Sequence, residues 1–148
     1  MTAYLVARSD MEGVCLATVH APSVIRSVPL MIGQRVPLGI GAGSLAILSS
    51  LPDIEVDTII TALTPKLRAY IGGRMTPKLL KQFVETTRAR GYAFSQNNLT
   101  TGVLAVGMRI PGDRQLTQLA VGVSAVATHM SDVEQAQIAK SIRKVISG

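Results

Sequence analysis

Aromatic side chains are scarce in this chain: three Tyr, two Phe and no Trp make up 3% of 148 residues. Platforms for single-stranded nucleic acid stack bases on exposed rings, and this sequence has almost none to offer. Cysteine is scarcer still, since Cys15 stands alone. An internal disulfide needs a second thiol and a thiolate zinc site needs about two to four, so both are excluded. A reducing, cytoplasmic compartment is the simplest home for such a chain. No apolar run approaches the roughly 20 residues of a membrane-spanning helix, and the N-terminus lacks the basic-then-apolar pattern of a signal peptide. A membrane partner is therefore not expected.

Charge is also low, at 16% of residues, and unbalanced, with nine acids against fifteen bases for a net charge of +6. The densest basic stretch holds Lys66, Arg68, Arg74, Lys78, Lys81, Arg88 and Arg90 against Glu85. Such a stretch reads either as a solvated helix face or as a weak, salt-sensitive nucleic-acid contact. What the chain has in abundance is aliphatic material, 47% hydrophobic overall. That composition excludes disorder and suits one domain, which at this length buries roughly 70% of the surface its unfolded chain exposes.

Local signals give an order of elements. Met1 to Val19 reads as two strands joined by the turn chemistry of Ser9-Asp10-Met11-Glu12-Gly13, a hairpin. The chain opens almost inside the first strand, which suggests a missing upstream part. Pro22, Pro29 and Pro37 forbid a long helix or central strand between Ala21 and Leu38, leaving a turn near Ser23 to Arg26 and irregular segments. Gly39-Ile40-Gly41-Ala42-Gly43-Ser44 then opens into a short apolar helix. Pro52, Asp53 and Glu55 start a second helix, with Ile54, Ile59, Ile60 and Leu63 on its apolar positions and an end near Leu63. Thr76-Pro77 starts a third, closed by Gly91. Strands are expected at 92–94, 102–110 and 115–124, with Pro111-Gly112-Asp113 as a turn. Ser131 and Glu134 form a capping box for a last helix carrying Val133, Ala136, Ile138, Ile142, Val145 and Ile146. Strands at both ends with helices between them indicate an α+β fold on a mainly antiparallel sheet.

Chemistry is thinly represented. His20 and His129 are far apart, and Cys15 lies mid-strand, where a thiol behaves as a small hydrophobe. Asp53, Glu55 and Asp57 belong to a helix start, so no metal ligand set and no cofactor is expected. The glycine cluster is the one feature with a binding chemistry. Gly39, Gly41 and Gly43 give GxGxG rather than GxGxxG, after a polar, proline-broken segment, which argues against a dinucleotide fold. A helix N-terminus nevertheless presents unpaired N–H groups that favour an anion. Ala42, Gly43 and Ser44 are small enough to let a carboxylate approach them.

The ordered series of motifs resembles the IclR family of bacterial transcription regulators. It comprises Ile32-Gly33-Gln34-Arg35-Val36-Pro37-Leu38, the small-residue turn, Ser50-Leu51-Pro52-Asp53, Thr76-Pro77 and Arg88-Ala89-Arg90-Gly91-Tyr92-Ala93. Gly102 opening an apolar strand and Gly122-Val123-Ser124 complete it, so the resemblance covers residues 14–147. It implies the C-terminal effector-binding domain, GAF-like, spanning residues 1–148 as one unit. It further implies a winged helix-turn-helix absent from this chain, through which operator DNA is bound, a homodimer or homotetramer, a carboxylic acid effector and no enzyme activity. The family pocket carries over to the turn at Ala42, Gly43 and Ser44, to apolar walls at Ile25, Val28, Val36 and Val103, and to Ser124. Three polar positions depart: an acid becomes Ser95, a position that admits Cys becomes Ala105, and a second Ser becomes Gly122. The implied pocket is less polar, suited to a larger or aromatic acid. Two alternatives stay open: a small nucleotide-binding enzyme using residues 39–43, and a ligand-free oligomerisation module.

Overall fold

The computed structural model describes residues 1–20, 31–98, 101–112 and 117–147. The expected turn at Ser23 to Arg26, the wall residues Ile25 and Val28, Asp113 and the strand start at Gln115 lie outside them. The N-terminal hairpin is present as β1 (Thr2–Ser9) and β2 (Glu12–His20), turned at Asp10 with φ 56°. A short polar side chain such as Asp tolerates that left-handed conformation. A register shift between Leu5 and Val6 bends the pair.

The proline-rich segment yields one strand that the sequence did not announce, β3 (Arg35–Pro37), paired with residues 12–14 of β2. Three residues are too few for a periodic signal, and Pro37 is tolerated because β3 is an edge strand. After it come α1 (Ala42–Ser49), α2 (Asp53–Leu67) and α3 (Pro77–Arg90). α2 runs one turn past the expected stop at Leu63. Pro65 falls in its last turn, where it removes one backbone hydrogen bond and the helix stops two residues later, and Leu67 is fully buried. α3 begins as expected, with Thr76 Oγ1 accepting from the Leu79 N–H at 3.1 Å, and ends on Gly91 at φ 87°.

The remaining strands are β4 (Ala93–Gln96), β5 (Val103–Arg109) and β6 (Leu119–Val126), followed by α4 (Asp132–Ile146). The Ser131–Glu134 capping box is formed. β4 and β6 each reach two residues beyond the expected ends at Phe94 and Ser124. Pairing with β5 decides those limits, and a single strand's composition does not register it.

The sheet order is β3-β2-β1-β6-β5-β4, and each of the five pairings among the described residues is antiparallel. The curled sheet separates two cores. On one face α1 lies directly against the strands with α3 beside it and α2 outside, closing a core around Tyr4, Val6, Leu45, Leu48, Val56 and Leu80. On the other face α4 covers β5 and its neighbours through Ala139 and Ile142, joined by Met130 just before the helix. Ile54, Val133 and Val145, expected on apolar faces, are exposed; Ile54 is 83% accessible. In α2 the buried stripe instead follows Val56, Ile59, Ile60, Leu63 and Leu67, a spacing that leaves Ile54 on the outer side.

Candidate site at the first turn of α1

α1 has no polar side: all eight of its residues are buried. A helix that is hydrophobic all round needs cover on every side, and the strands beneath it supply their part through small residues. A Cβ on Gly107 would fall 2.6 Å from the carbonyl carbon and oxygen of Ala42 and 2.8 Å from the Gly43 nitrogen. Only glycine on β5 lets the first turn of α1 come this close to the sheet.

Strand register assembles the floor beside that turn. Ser95 of β4 stands opposite Ala105 of β5, Ala105 opposite Ser124 of β6, and Ser124 opposite Thr2 of β1. These four residues form one buried row across four strands, on the face that α1 covers. Ser124 Oγ donates to the Thr2 carbonyl at 3.4 Å. The adjoining row is Ala93, Gly107, Gly122 and Tyr4. Val103 continues β5 on the same face, opposite Val126.

The sequence reading missed one residue at this place, Tyr4. Its ring lies over Gly122 and its hydroxyl accepts from the Gly43 N–H at 3.3 Å. Burial pushes the phenol up to about 12, with the backbone at Gly43 and Ala42 pulling weakly the other way. The group that takes the N–H expected to meet a carboxylate is thus a neutral phenol from β1. Composition carries no mark of this, because Tyr4 and Gly122 meet only through the pairing of β1 with β6.

Two other expected residues sit apart. Ser44 turns its hydroxyl into the preceding loop, accepting from the Gly39 N–H at 3.1 Å and donating to the Pro37 carbonyl at 3.3 Å. It packs on Gly13, where a Cβ would fall 2.8 Å from its Oγ. Val36 is buried against Gly13 on β3, with four strands between it and β4. Ala42 and Gly43 therefore stand against the row of Gly107, Gly122 and Tyr4, with Ser95, Ala105 and Ser124 in the row beside it, whereas Ser44 and Val36 turn toward the far edge of the sheet.

The nucleotide alternative meets a different architecture. A dinucleotide turn joins a buried parallel strand to its helix, and the strand before α1 is a three-residue antiparallel edge. Burial pushes the Cys15 thiol up, away from the thiolate that a nucleophile requires. Among the described residues no group of three His, Cys, Asp or Glu is placed to hold a metal ion. None of their helices is long and apolar enough to cross a membrane. Several members of the basic stretch have partners within the fold. Lys81 pairs with Asp57, Arg88 pairs with Asp53, and the Arg90 guanidinium stacks 4.8 Å from the Tyr92 ring centre.

The architecture is an α+β domain built on one curled antiparallel sheet. The family described as bacterial transcriptional regulator IclR, C-terminal, matches residues 1–147, and the chain belongs to it. No curated protein sequence matches the chain. Among solved structures, IclR of Thermotoga maritima is 23% identical with a TM-score of 0.85, covering 99% of this chain and 58% of that one. The IclR regulator of Alicyclobacillus acidocaldarius is 19% identical with a TM-score of 0.83, covering 99% and 58%. An IclR homologue of Microbacterium hydrocarbonoxydans, complexed with 4-hydroxybenzoate, is 11% identical with a TM-score of 0.76, covering 99% and 59%. The chain thus spans a little under three fifths of the length of these relatives.

Proposed function

We propose that this domain senses a small organic acid and through it controls a DNA-binding part of the regulator, acting in the cytoplasm as a homodimer or homotetramer. The acid sits at the first turn of α1, against Ala42 and Gly43, over the row Ser95, Ala105 and Ser124. Val103 forms an apolar wall, to which the family resemblance adds Ile25, Val28 and Val36, and Ser44 follows the two small residues in the same turn. The observation that carries this reading is the register that brings those small and hydroxylated residues of three strands beside one helix N-terminus. A helix start with N–H groups directed outward favours a carboxylate over a neutral ligand. The 4-hydroxybenzoate held by one homologue of the same fold supplies the first aromatic acid to test.

Tyr4 gives the proposal its mechanism. The Gly43 N–H cannot serve the phenol and a carboxylate equally, so a bound acid moves the Tyr4 hydroxyl off the helix. Tyr4 lies on β1, the strand between β2 and β6, so its displacement alters the centre of the sheet. An acid that binds one arrangement better shifts the population toward it, and that shift is what the DNA-binding part reads.

The same residue favours one other reading, in which the phenol permanently fills the seat and the domain only assembles copies of itself. Thermal unfolding with 4-hydroxybenzoate, benzoate and short keto acids separates the two. An acid at 100 times its Kd stabilises by about 2.7 kcal/mol. The sensor reading expects such a rise with at least one acid, strengthened in Tyr4→Phe, which removes the competing hydroxyl. No rise in either protein leaves the assembly reading.

A further inference from the structure

We infer that the opposite end of α1 carries a second binding site, for a small carboxylate, distinct from the seat at Gly43. A cavity of about 220 Å³ opens between the C-terminal ends of α1 and α3 and the strands β4 and β5. Four buried side-chain polar atoms among the described residues lack any hydrogen-bond partner, and three of them belong to residues lining this cavity. They are Ser49 Oγ, Thr87 Oγ1 and Arg109 Nε. Ser49 is 7% exposed and Thr87 6%. Native proteins rarely leave buried donors unmatched, and several unmatched around one cavity mark the place of something that accepts from them.

The chemistry of that occupant follows from what the cavity offers. No Asp or Glu lines it. Two carbonyls at and just past the end of α1, which would repel an anion, are already engaged. Arg88 Nε donates to the Ser49 carbonyl at 3.0 Å and its Nη2 to the Leu51 carbonyl at 2.7 Å. Two hydroxyls and the edge of a guanidinium remain. A guanidinium edge presents parallel N–H groups that match the two oxygens of a carboxylate. The volume suits an acid of a few heavy atoms, since a water molecule takes about 30 Å³.

The test is NMR titration of the chain with acetate, glycolate and inorganic phosphate at constant ionic strength, following the Arg109 Nε–H and the Gly91 amide. The proposal expects saturable shifts of both signals with acetate or glycolate. Affinity should fall about tenfold in Arg109→Met and in Thr87→Val, and stay within about twofold in Lys140→Gln, an exposed position on α4. Thr87→Val keeps the side-chain shape and guards against a misfolded arginine variant. Absence of saturation with either carboxylate, saturation by phosphate alone, or binding that ignores both substitutions would each overturn it. The last outcome would place the acid at Gly43 and leave the sensor proposal standing by itself.

Discussion

The ring of Tyr4 rests on the backbone of Gly122: a Cβ at position 122 would lie 2.1 Å from the tyrosine Cζ and 2.4 Å from its hydroxyl. The two residues are direct cross-strand partners. The absence of a side chain at position 122 and the bulk of the phenol at position 4 are therefore one structural fact: the glycine makes the room that its cross-strand partner fills.

That contact gives the first prediction. Gly122→Ala should destabilise the domain by about 3 kcal/mol, the upper end of ordinary overpacking, because the ring has α1 above it and cannot retreat. In a Tyr4→Leu background the same change should cost far less. A double-mutant cycle by urea unfolding should return a coupling of about 1 kcal/mol or more between neighbours this close. Equal costs in both backgrounds would mean the ring does not occupy that space.

Alkali gives the second. The Tyr4 phenol ionises near 10 in the unfolded chain and at about 12 in the fold. Between those values the unfolded state has released a proton that the folded state still holds, so stability falls as pH rises. A shift of about two pH units corresponds to about 2.7 kcal/mol lost across that window. Below pH 10 the contribution is fully present. Urea midpoints measured from pH 8 to 12 should show this decline in the native protein and a flatter profile in Tyr4→Phe.

Gly107 provides the third. The atoms a methyl group would strike there belong to the backbone of Ala42 and Gly43, which have no rotamer by which to yield. Gly107→Ala should cost about 3 kcal/mol or more and lift the first turn of α1 off the sheet. The amide resonances of Ala42 and Gly43 should move most, and an acid that binds native protein should bind the variant poorly.

Arg88 provides the fourth. One guanidinium joins the Ser49 and Leu51 carbonyls behind α1 to Asp53 at the start of α2. Arg88→Met keeps the aliphatic stem and should cost about 2 kcal/mol through the lost charge-assisted bonds. The Arg88 hydrogen bond and charge hold the Asp53 carboxyl below the usual carboxylate range. The stability this confers is present above the ordinary carboxylate value, near 4, and lost as pH falls through the lowered one. In Arg88→Met the Asp53 carboxyl should titrate closer to 4 by NMR, and this part of the acid sensitivity should vanish.

Local grammar in the sequence was enough for most elements. The hairpin at Asp10, the Thr76-Pro77 start, the Gly91 stop and the Ser131–Glu134 box each act within a few residues, and each stands where the sequence put it. Pairing is not local, so β3 and the true ends of β4 and β6 emerge only with the sheet. The same distinction divides the site. Ala42 and Gly43 could be read from their neighbours as the start of a helix with accessible N–H groups. Tyr4 could not, because its meeting with Gly122 is settled by a register between strands at opposite ends of the chain. The direction of the Ser44 hydroxyl is hidden from local sequence for the same reason, since only the loop's final path shows it bound to Pro37 and Gly39.

The complete burial of α1 also bears on how the domain breathes. Eight residues make a helix about 12 Å long, well below the length that holds together alone in water. It has no solvent face from which to fray and no stability apart from the layers around it. Its amide hydrogens should consequently exchange with deuterium only when the whole domain opens, while those of α2 and α4, each with an outward side, exchange by smaller excursions. The shortest of the described helices would then be the slowest to exchange, and a ligand at either of its ends would be recorded as a lower rate of global opening.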